Sequence, residues 1–388
     1  MYLRRSLTGS LSILALRRAV CLSSALTGTR HFATSSAAAE AAAASAVPMH
    51  SITRNGKPAP DLPATQDAKS MLSVYPRGAY TTARTVDFRS VFEFDAHVER
   101  MAQTSKLMLV QSGKDASAYP ELTDPHALRP LLAASFRSCI QDFIDKYPDY
   151  QGEIRLTVLA DWEEDHNAHG DFTLLCHGSP LPPIRPPPVV VEVRGCPREN
   201  ALAKDSAWIN ERKGLEALKR PEHDEIILPT ADGRLLEGTQ TNFYAVLDGA
   251  VHTAGAGVLE GTVRRLLLEV CAREGIRVVL EAPALADMAY WEGALVSSTS
   301  RLALPVDRIV VPREGEPAQD GDACREFRDD ALCRRIAQLV RGQVRSHSQD
   351  VFKAAKGCSR WGLGGGEGAA AEDAAAAQAA CESAAGAR

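Results

Sequence analysis

Lys204, Glu237 and a hydroxyl-rich stretch that ends at Ser300 are the parts of this chain best suited to chemistry. Lys204 lies in NALAKDSAW, flanked by alanines and a tryptophan rather than by other charges. Such surroundings lower a lysine's proton affinity and make it a nucleophile. Lys213 and Lys219, in the charge-rich helical pattern ERKGLEALKR, read as solvent-exposed instead. Glu237 follows Lys204 by 33 residues and comes after the turn signature ADGRL. This puts its carboxylate at the end of a strand, in a hairpin whose second strand is NFYAVLDGAV. In LEGTVRRLLLEVCAREG, Val263, Leu266, Leu267, Val270 and Cys271 recur at helical spacing, so Gly261 and Thr262 open a helix. Free amides at a helix start bind phosphate, and glycine lets the anion come close. Thr299 and the serines of SSTSR can add hydroxyl donors. Taken singly, each feature has a commoner use as a solvated lysine, a turn glutamate, a helix cap or a polar loop.

Together they offer an amine, an acid and several anion donors, which suits pyridoxal 5′-phosphate. That cofactor needs an amine to hold its aldehyde as a Schiff base and an acid to keep its ring nitrogen protonated. It also needs donors for its phosphate. A negative charge beside the ring nitrogen favours the protonated ring and strengthens the sink for electrons left when a substrate loses its α proton.

These motifs, in order along roughly Gly78 to Val306, resemble the class IV (fold type IV) aminotransferases. That family includes branched-chain and D-amino acid aminotransferases and aminodeoxychorismate lyase. The resemblance implies an α/β (α+β) fold of two domains, the smaller N-terminal and the larger C-terminal, with the cofactor between them. It also implies a homodimer acting on small amino acids and 2-oxo acids. By position, Lys204 resembles the lysine that carries the cofactor and shuttles the proton, and Glu237 the glutamate at the pyridine nitrogen. Thr262, Val263 and Thr299 fall where the family holds the phosphate. Arg100, in FEFDAHVERMAQTSKLM, matches the phosphate-binding arginine, with His97 as a packing residue. An arginine's planar fork suits phosphate oxygens. In GAYTTARTVDF, Tyr80 takes the aromatic position of the substrate pocket, and Thr82 and Ser300 are further candidates on the substrate side.

Departures from the family pattern concern the substrate. Thr81 and Thr82 follow Tyr80 where many relatives have an acid. Leu159, Ala160 and Asp161 stand where several have a carboxylate-gripping arginine, and strand alternation turns the nearby Arg155 elsewhere. Trp208, Ile209 and Asn210 follow the lysine where branched-chain enzymes have a tyrosine. Amino transfer is the leading reading. A lyase that uses the same lysine to eliminate pyruvate is the alternative, and a protein that binds the cofactor without turnover is the reading from another class.

With 388 residues, 45% hydrophobic and 24% charged, the chain can bury two domain-sized cores. Its net charge of -5 gives no reason to expect nucleic acid or membrane partners. The nine cysteines are scattered singly, without a CxxC or Cys/His cluster, so they read as reduced thiols and no metal is expected. Residues 1–46 hold Arg4, Arg5, Arg17, Arg18 and Arg30 and no acid before Glu40. They read as an organellar transit peptide. RHFATSS resembles a mitochondrial processing site, with cleavage after Phe32; a plastid address is the alternative. Leu11 to Leu16 is too short to span a membrane. After a polar lead-in over 49–67, an N-terminal α/β domain is expected over 68–180. A stiff proline-rich linker over 181–188 follows. The C-terminal cofactor-binding domain is expected over 189–346, and a disordered low-complexity tail over 353–388.

Overall fold

A computed structural model describes residues 48–62, 67–162, 171–328 and 330–354. The expected transit peptide, and all but the first two residues of the expected tail, lie outside these residues. Two sheets carry the fold. The first is antiparallel and is built from β1 (Ser51–Arg54), β2 (Lys57–Pro58), β3 (Ala79–Val86), β4 (Ser90–Phe92), β5 (Ile154–Asp161) and β6 (Thr173–Pro180). β1 lies beside β6 with Ser51, Ile52 and Thr53 buried. The polar lead-in thus supplies an interior strand, and the first folded unit starts upstream of Ala68.

The second sheet holds β7 (Val190–Val193), β8 (Glu225–Pro229), β9 (Leu235–Gly238), β10 (Asn242–Leu247), β11 (Ala250–His252) and β12 (Val278–Val279). It continues through β13 (Gly293–Ser298), β14 (Leu302–Val306), β15 (Arg308–Val311) and β16 (Ala323–Glu326). β7 pairs in parallel with both β8 and β15, so this sheet is mixed. The chain then returns. β17 (Ser348–Asp350) pairs with β4, and Val351 is buried in the first core. The first sheet therefore runs β17-β4-β3-β5-β6-β1-β2 and draws its last strand from beyond residue 346.

Two turns correct the expected hairpin around Glu237. The DGR turn, with Gly233 at φ 80, joins β8 to β9. β9 then meets β10 at the single pair Glu237 and Asn242. NFYAVLDGAV is not one strand, because Asp248 (φ 49) and Gly249 (φ 64) make a tight hairpin between β10 and β11. Two successive left-handed residues match the twist of the flanking strands, and Asp-Gly adopts them readily.

The helices follow from capping and apolar period. Asp124 accepts from the His126 amide and Pro125 opens helix Pro125–Lys146, which buries Leu128, Leu132, Phe136, Ile140 and Phe143. This helix and Phe94–Gln111 cover one face of the first sheet, with Phe94 and Phe136 in edge contact. In the second sheet β10 alternates. Tyr244 and Val246 face the helices Thr262–Arg273 and Ala331–Gly342, while Phe243 and Ala245 face Trp291 on the other side. Burying a side chain such as Val246 or Phe243 contributes roughly 1.5–3 kcal/mol. Among the described residues no helix is long and apolar enough to cross a membrane, and no group of His, Cys, Asp and Glu could hold a metal ion.

Candidate active site

A cavity of about 440 Å³ lies where the two sheets meet. It is lined by Tyr80, Thr82, Arg100, Lys204, Glu237, Thr262, Val263, Thr299 and Ser300, so all the residues singled out from the sequence share one space.

Lys204 is held by its backbone from both sides. Its carbonyl accepts from the Tyr80 amide at 3.0 Å, and its amide donates to Thr104 Oγ1 at 3.3 Å. Next to it Asp205 is fixed by Arg77, and the Ser206 amide donates to the Gly78 carbonyl. The segment is thus docked on the start of β3. From there Lys204 Nζ sits 4.5 Å from the centre of the Tyr80 ring. Burial lowers the lysine's pKa, Arg100 and Arg198 add to this, and the Tyr80 phenol opposes it. Lys213 is exposed as expected, whereas Lys219 is half-buried and donates to the Arg220 and His223 carbonyls.

Glu237 is buried at the end of β9. Arg198 donates to its Oε1 through Nε at 2.9 Å and Nη2 at 2.6 Å, and the Leu259 amide donates to Oε2 at 3.0 Å. Burial raises its pKa, and Arg198 pulls against that rise. Arg198 also donates to the carbonyls of Ala201 and Ala203, so one guanidinium ties the acid to the loop that carries Lys204. Sequence reasoning missed Arg198. Its signal was its place six residues before the lysine, but an arginine in a polar loop reads as solvated.

The anion end is built from three elements. Gly261 caps the Thr262 helix, whose first amides have no partner within the helix. A Cβ at Gly261 would come 2.1 Å from Asn242 Oδ1, so the close approach needs glycine. Thr262 and Thr299 bring their hydroxyls within 3.3 Å of each other, Thr299 lying in the loop between β13 and β14. Arg100 is buried, with its Nε lacking a partner and an Nη2 donating to Thr81 Oγ1 at 2.8 Å. Burial lowers its pKa to about 10. His97 lies behind it, with Nδ1 2.8 Å from Thr81 Oγ1 and 3.2 Å from Arg100 Nη2. Burial and the charge of Arg100 push the His97 pKa well down, so the ring is neutral and orients Arg100 without repelling it.

Charge pairing shows what the cavity can hold. Lys69, Arg185, Arg198, Arg212 and Arg301 line it, and each has a carboxylate within ion-pair distance. Lys204, Arg100 and Arg155 also line it and have none among the described residues. Arg155 was expected to turn away, yet it faces the cavity beside Thr157, because β5 and β3 place Thr157 opposite Thr82. Unpaired buried cations are costly, so the site is built for an anionic ligand. An amine, a buried carboxylate, a helix start with hydroxyls and a free arginine together fit the aldehyde, ring nitrogen and phosphate of pyridoxal 5′-phosphate.

Comparison with known proteins agrees with this chemistry. The family model for amino-transferase class IV matches residues 78–309. A protein of Methanocaldococcus jannaschii, provisionally named a branched-chain-amino-acid aminotransferase, is 25% identical over 247 residues, which are 61% of this chain and 80% of that protein. Among solved structures, the branched-chain aminotransferase of Thermoproteus uzoniensis with norvaline matches at a TM-score of 0.58 and 17% identity, covering 78% of this chain and 99% of the other. An aminotransferase of Mycobacterium tuberculosis described as hypothetical, with α-ketoglutarate and PMP bound, matches at a TM-score of 0.56 and 21% identity, covering 74% and 95%. The branched-chain aminotransferase of Escherichia coli matches at a TM-score of 0.54 and 18% identity, covering 78% and 99%. The relatives that match are described as aminotransferases, and the lyase and binding-only readings are not favoured. The chain belongs to the class IV aminotransferases, pyridoxal 5′-phosphate enzymes of fold type IV that transfer amino groups.

Proposed function

We propose that this enzyme moves an amino group from an amino acid of the branched-chain or D-amino acid kind to a 2-oxo acid, with Lys204 as its catalytic residue. The observation that supports this reading is the meeting of Lys204, Glu237, Arg100 and the start of the Thr262 helix around one cavity. When bound, pyridoxal 5′-phosphate supplies a sink for the electrons left on the substrate's α carbon. Lys204 Nζ would hold the cofactor through its aldehyde carbon. As a free base, Nζ would be the group that takes the proton from the substrate's α carbon. Its lowered pKa serves that step by increasing the unprotonated fraction. Glu237, paired with Arg198, would hold a proton on the ring nitrogen. Arg100, the amides of Thr262 and Val263 and the hydroxyl of Thr299 bind the phosphate. Tyr80, Thr82 and Ser300 form the substrate side, the Tyr80 ring flanking the reactive amine.

The same reading makes the enzyme a homodimer with a mitochondrial address in residues 1–46. The arginine-rich, acid-free start of the chain supports the address. The test is a spectroscopic half-reaction on purified protein lacking residues 1–46. Amino acid donors, offered singly as L and D forms, convert the cofactor's visible band to a blue-shifted one, and a 2-oxo acid restores it. A protein that binds cofactor and releases pyruvate from aminodeoxychorismate, while no donor shifts the band, would overturn the proposal.

A further inference from the structure

The two helices that meet the phosphate are packed into different cores. Helix Phe94–Gln111, which carries Arg100, buries Phe94, Val98 and Met101 in the first core. The Thr262 helix buries Val263, Leu266 and Leu267 in a second one. Between the two helices lies a further cavity of about 250 Å³, lined among others by Ala96, Arg100, Gly261, Thr262 and Arg265. Apolar packing therefore does not set the distance from Arg100 to the start of the Thr262 helix, although one phosphate has to reach both.

Glu93 supplies a polar link across that gap. It stands where the chain crosses from Phe92, in the second core, to Phe94, in the first, and its backbone turns through the left-handed region at φ 55. Glycine or asparagine would adopt that conformation at less cost, so the turn alone does not call for a glutamate. The side chain does. Glu93 is buried, its Oε2 accepts from Arg265 Nη2 at 2.8 Å, and its Oε1 lies 2.8 Å from His347 Nδ1. Its backbone is held too: the amide donates to the His347 carbonyl at 2.7 Å, and the carbonyl accepts from the His97 amide at 3.0 Å. Arg265 in turn donates its amide to the Gly261 carbonyl, which fixes it to the first turn of the Thr262 helix. One carboxylate thus joins the starts of both phosphate-binding helices, and Arg100 follows it about two turns along its own helix.

We propose that Glu93 is a positioning residue for the cofactor's phosphate, whose carboxylate holds the Arg100 helix and the Thr262 helix at the spacing that lets both grip one anion. The proposal rests on the reading that places the phosphate at Arg100 and Thr262. The test titrates cofactor-free protein with pyridoxal 5′-phosphate and with pyridoxal, which lacks the phosphate, and follows the visible band. Glu93→Gln weakens pyridoxal 5′-phosphate on the order of 10-fold, the size of one charge-assisted contact, and leaves pyridoxal unchanged. The sign is diagnostic, because loss of a nearby negative charge would by itself tighten a phosphate. Glu93→Asp keeps the charge and suits the left-handed backbone but is one methylene short, and it shows a smaller loss with the same selectivity. Equal weakening of both compounds, or a pyridoxal 5′-phosphate affinity left unchanged or tightened by Glu93→Gln, would overturn the proposal. Arg100→Met separates it from the reading beneath it: if that variant loses phosphate selectivity while Glu93→Gln keeps it, this proposal alone fails, and if Arg100→Met keeps the selectivity, both fail.

Discussion

Replacing Arg198 by methionine should expose the pairing that keeps the site charged. Arg198 and Glu237 have side chains only 8% and 5% exposed, and two donors of the guanidinium meet one carboxylate oxygen. Removing one partner of a buried pair leaves the other as an uncompensated charge, which costs about 3–5 kcal/mol. Here the loss includes the hydrogen bonds to the Ala201 and Ala203 carbonyls, so the upper part of that range applies. The double variant Arg198→Met, Glu237→Gln should recover most of the loss, because no bare carboxylate remains. Burial already raises the Glu237 pKa, and removing Arg198 raises it further. A carboxyl with a raised folded-state pKa favours the fold below its unfolded pKa and loses that contribution as pH rises through the folded value. The deficit of the single variant should therefore be full at neutral pH and shrink as pH falls through the raised pKa of Glu237. Urea unfolding of wild type, both single variants and the double variant across this pH window measures the cycle. A deficit under about 1 kcal/mol, the range of an exposed pair, would refute the reasoning, as would a double variant no more stable than the single one.

Other substitutions address the remaining parts of the site. Lys204→Met should abolish the cofactor's visible band with the fold intact by circular dichroism. Its cofactor-free form should be more stable than wild type at neutral pH, since a base with a depressed pKa loses stability as pH falls through it; a borohydride-reducible adduct surviving in the variant would show that another lysine carries the cofactor. Arg100→Met should weaken binding of pyridoxal 5′-phosphate on the order of 10- to 100-fold, the scale of a charged hydrogen bond, in equilibrium dialysis. Gly261→Ala places a methyl group 2.1 Å from Asn242 Oδ1 and should lower the melting temperature and weaken the cofactor's hold; unchanged affinity would show that the helix start does not approach the phosphate.

The cofactor side was more legible in the sequence than the substrate side, and the reason is local. Gly261 and Thr262 announce a helix start through the apolar period that follows them, and ADGRL announces the turn before Glu237. Such signals depend on near neighbours in the chain. Arg198 and Arg155 act through partners 39 residues away and across the sheet, and nothing within a few positions of either marks it. Arg155 was misplaced because alternation fixes a strand's two faces without saying which one looks into the cavity. The pairing of Thr82 with Thr157 supplies that choice. β1 was overlooked for a similar reason: SITR reads as mostly polar, and only the neighbouring β6 makes its first three residues interior.

The return of β17 to β4 sets an order of events during synthesis. The first sheet gathers six of its strands by residue 180, yet its edge at β4 stays open until Ser348–Asp350 emerges, after every strand of the second sheet has been made. An open edge is a template for wrong pairing. The nascent chain therefore carries a sticky margin through nearly half of its length, directly ahead of the helix that holds Arg100, and only the final strand seals it.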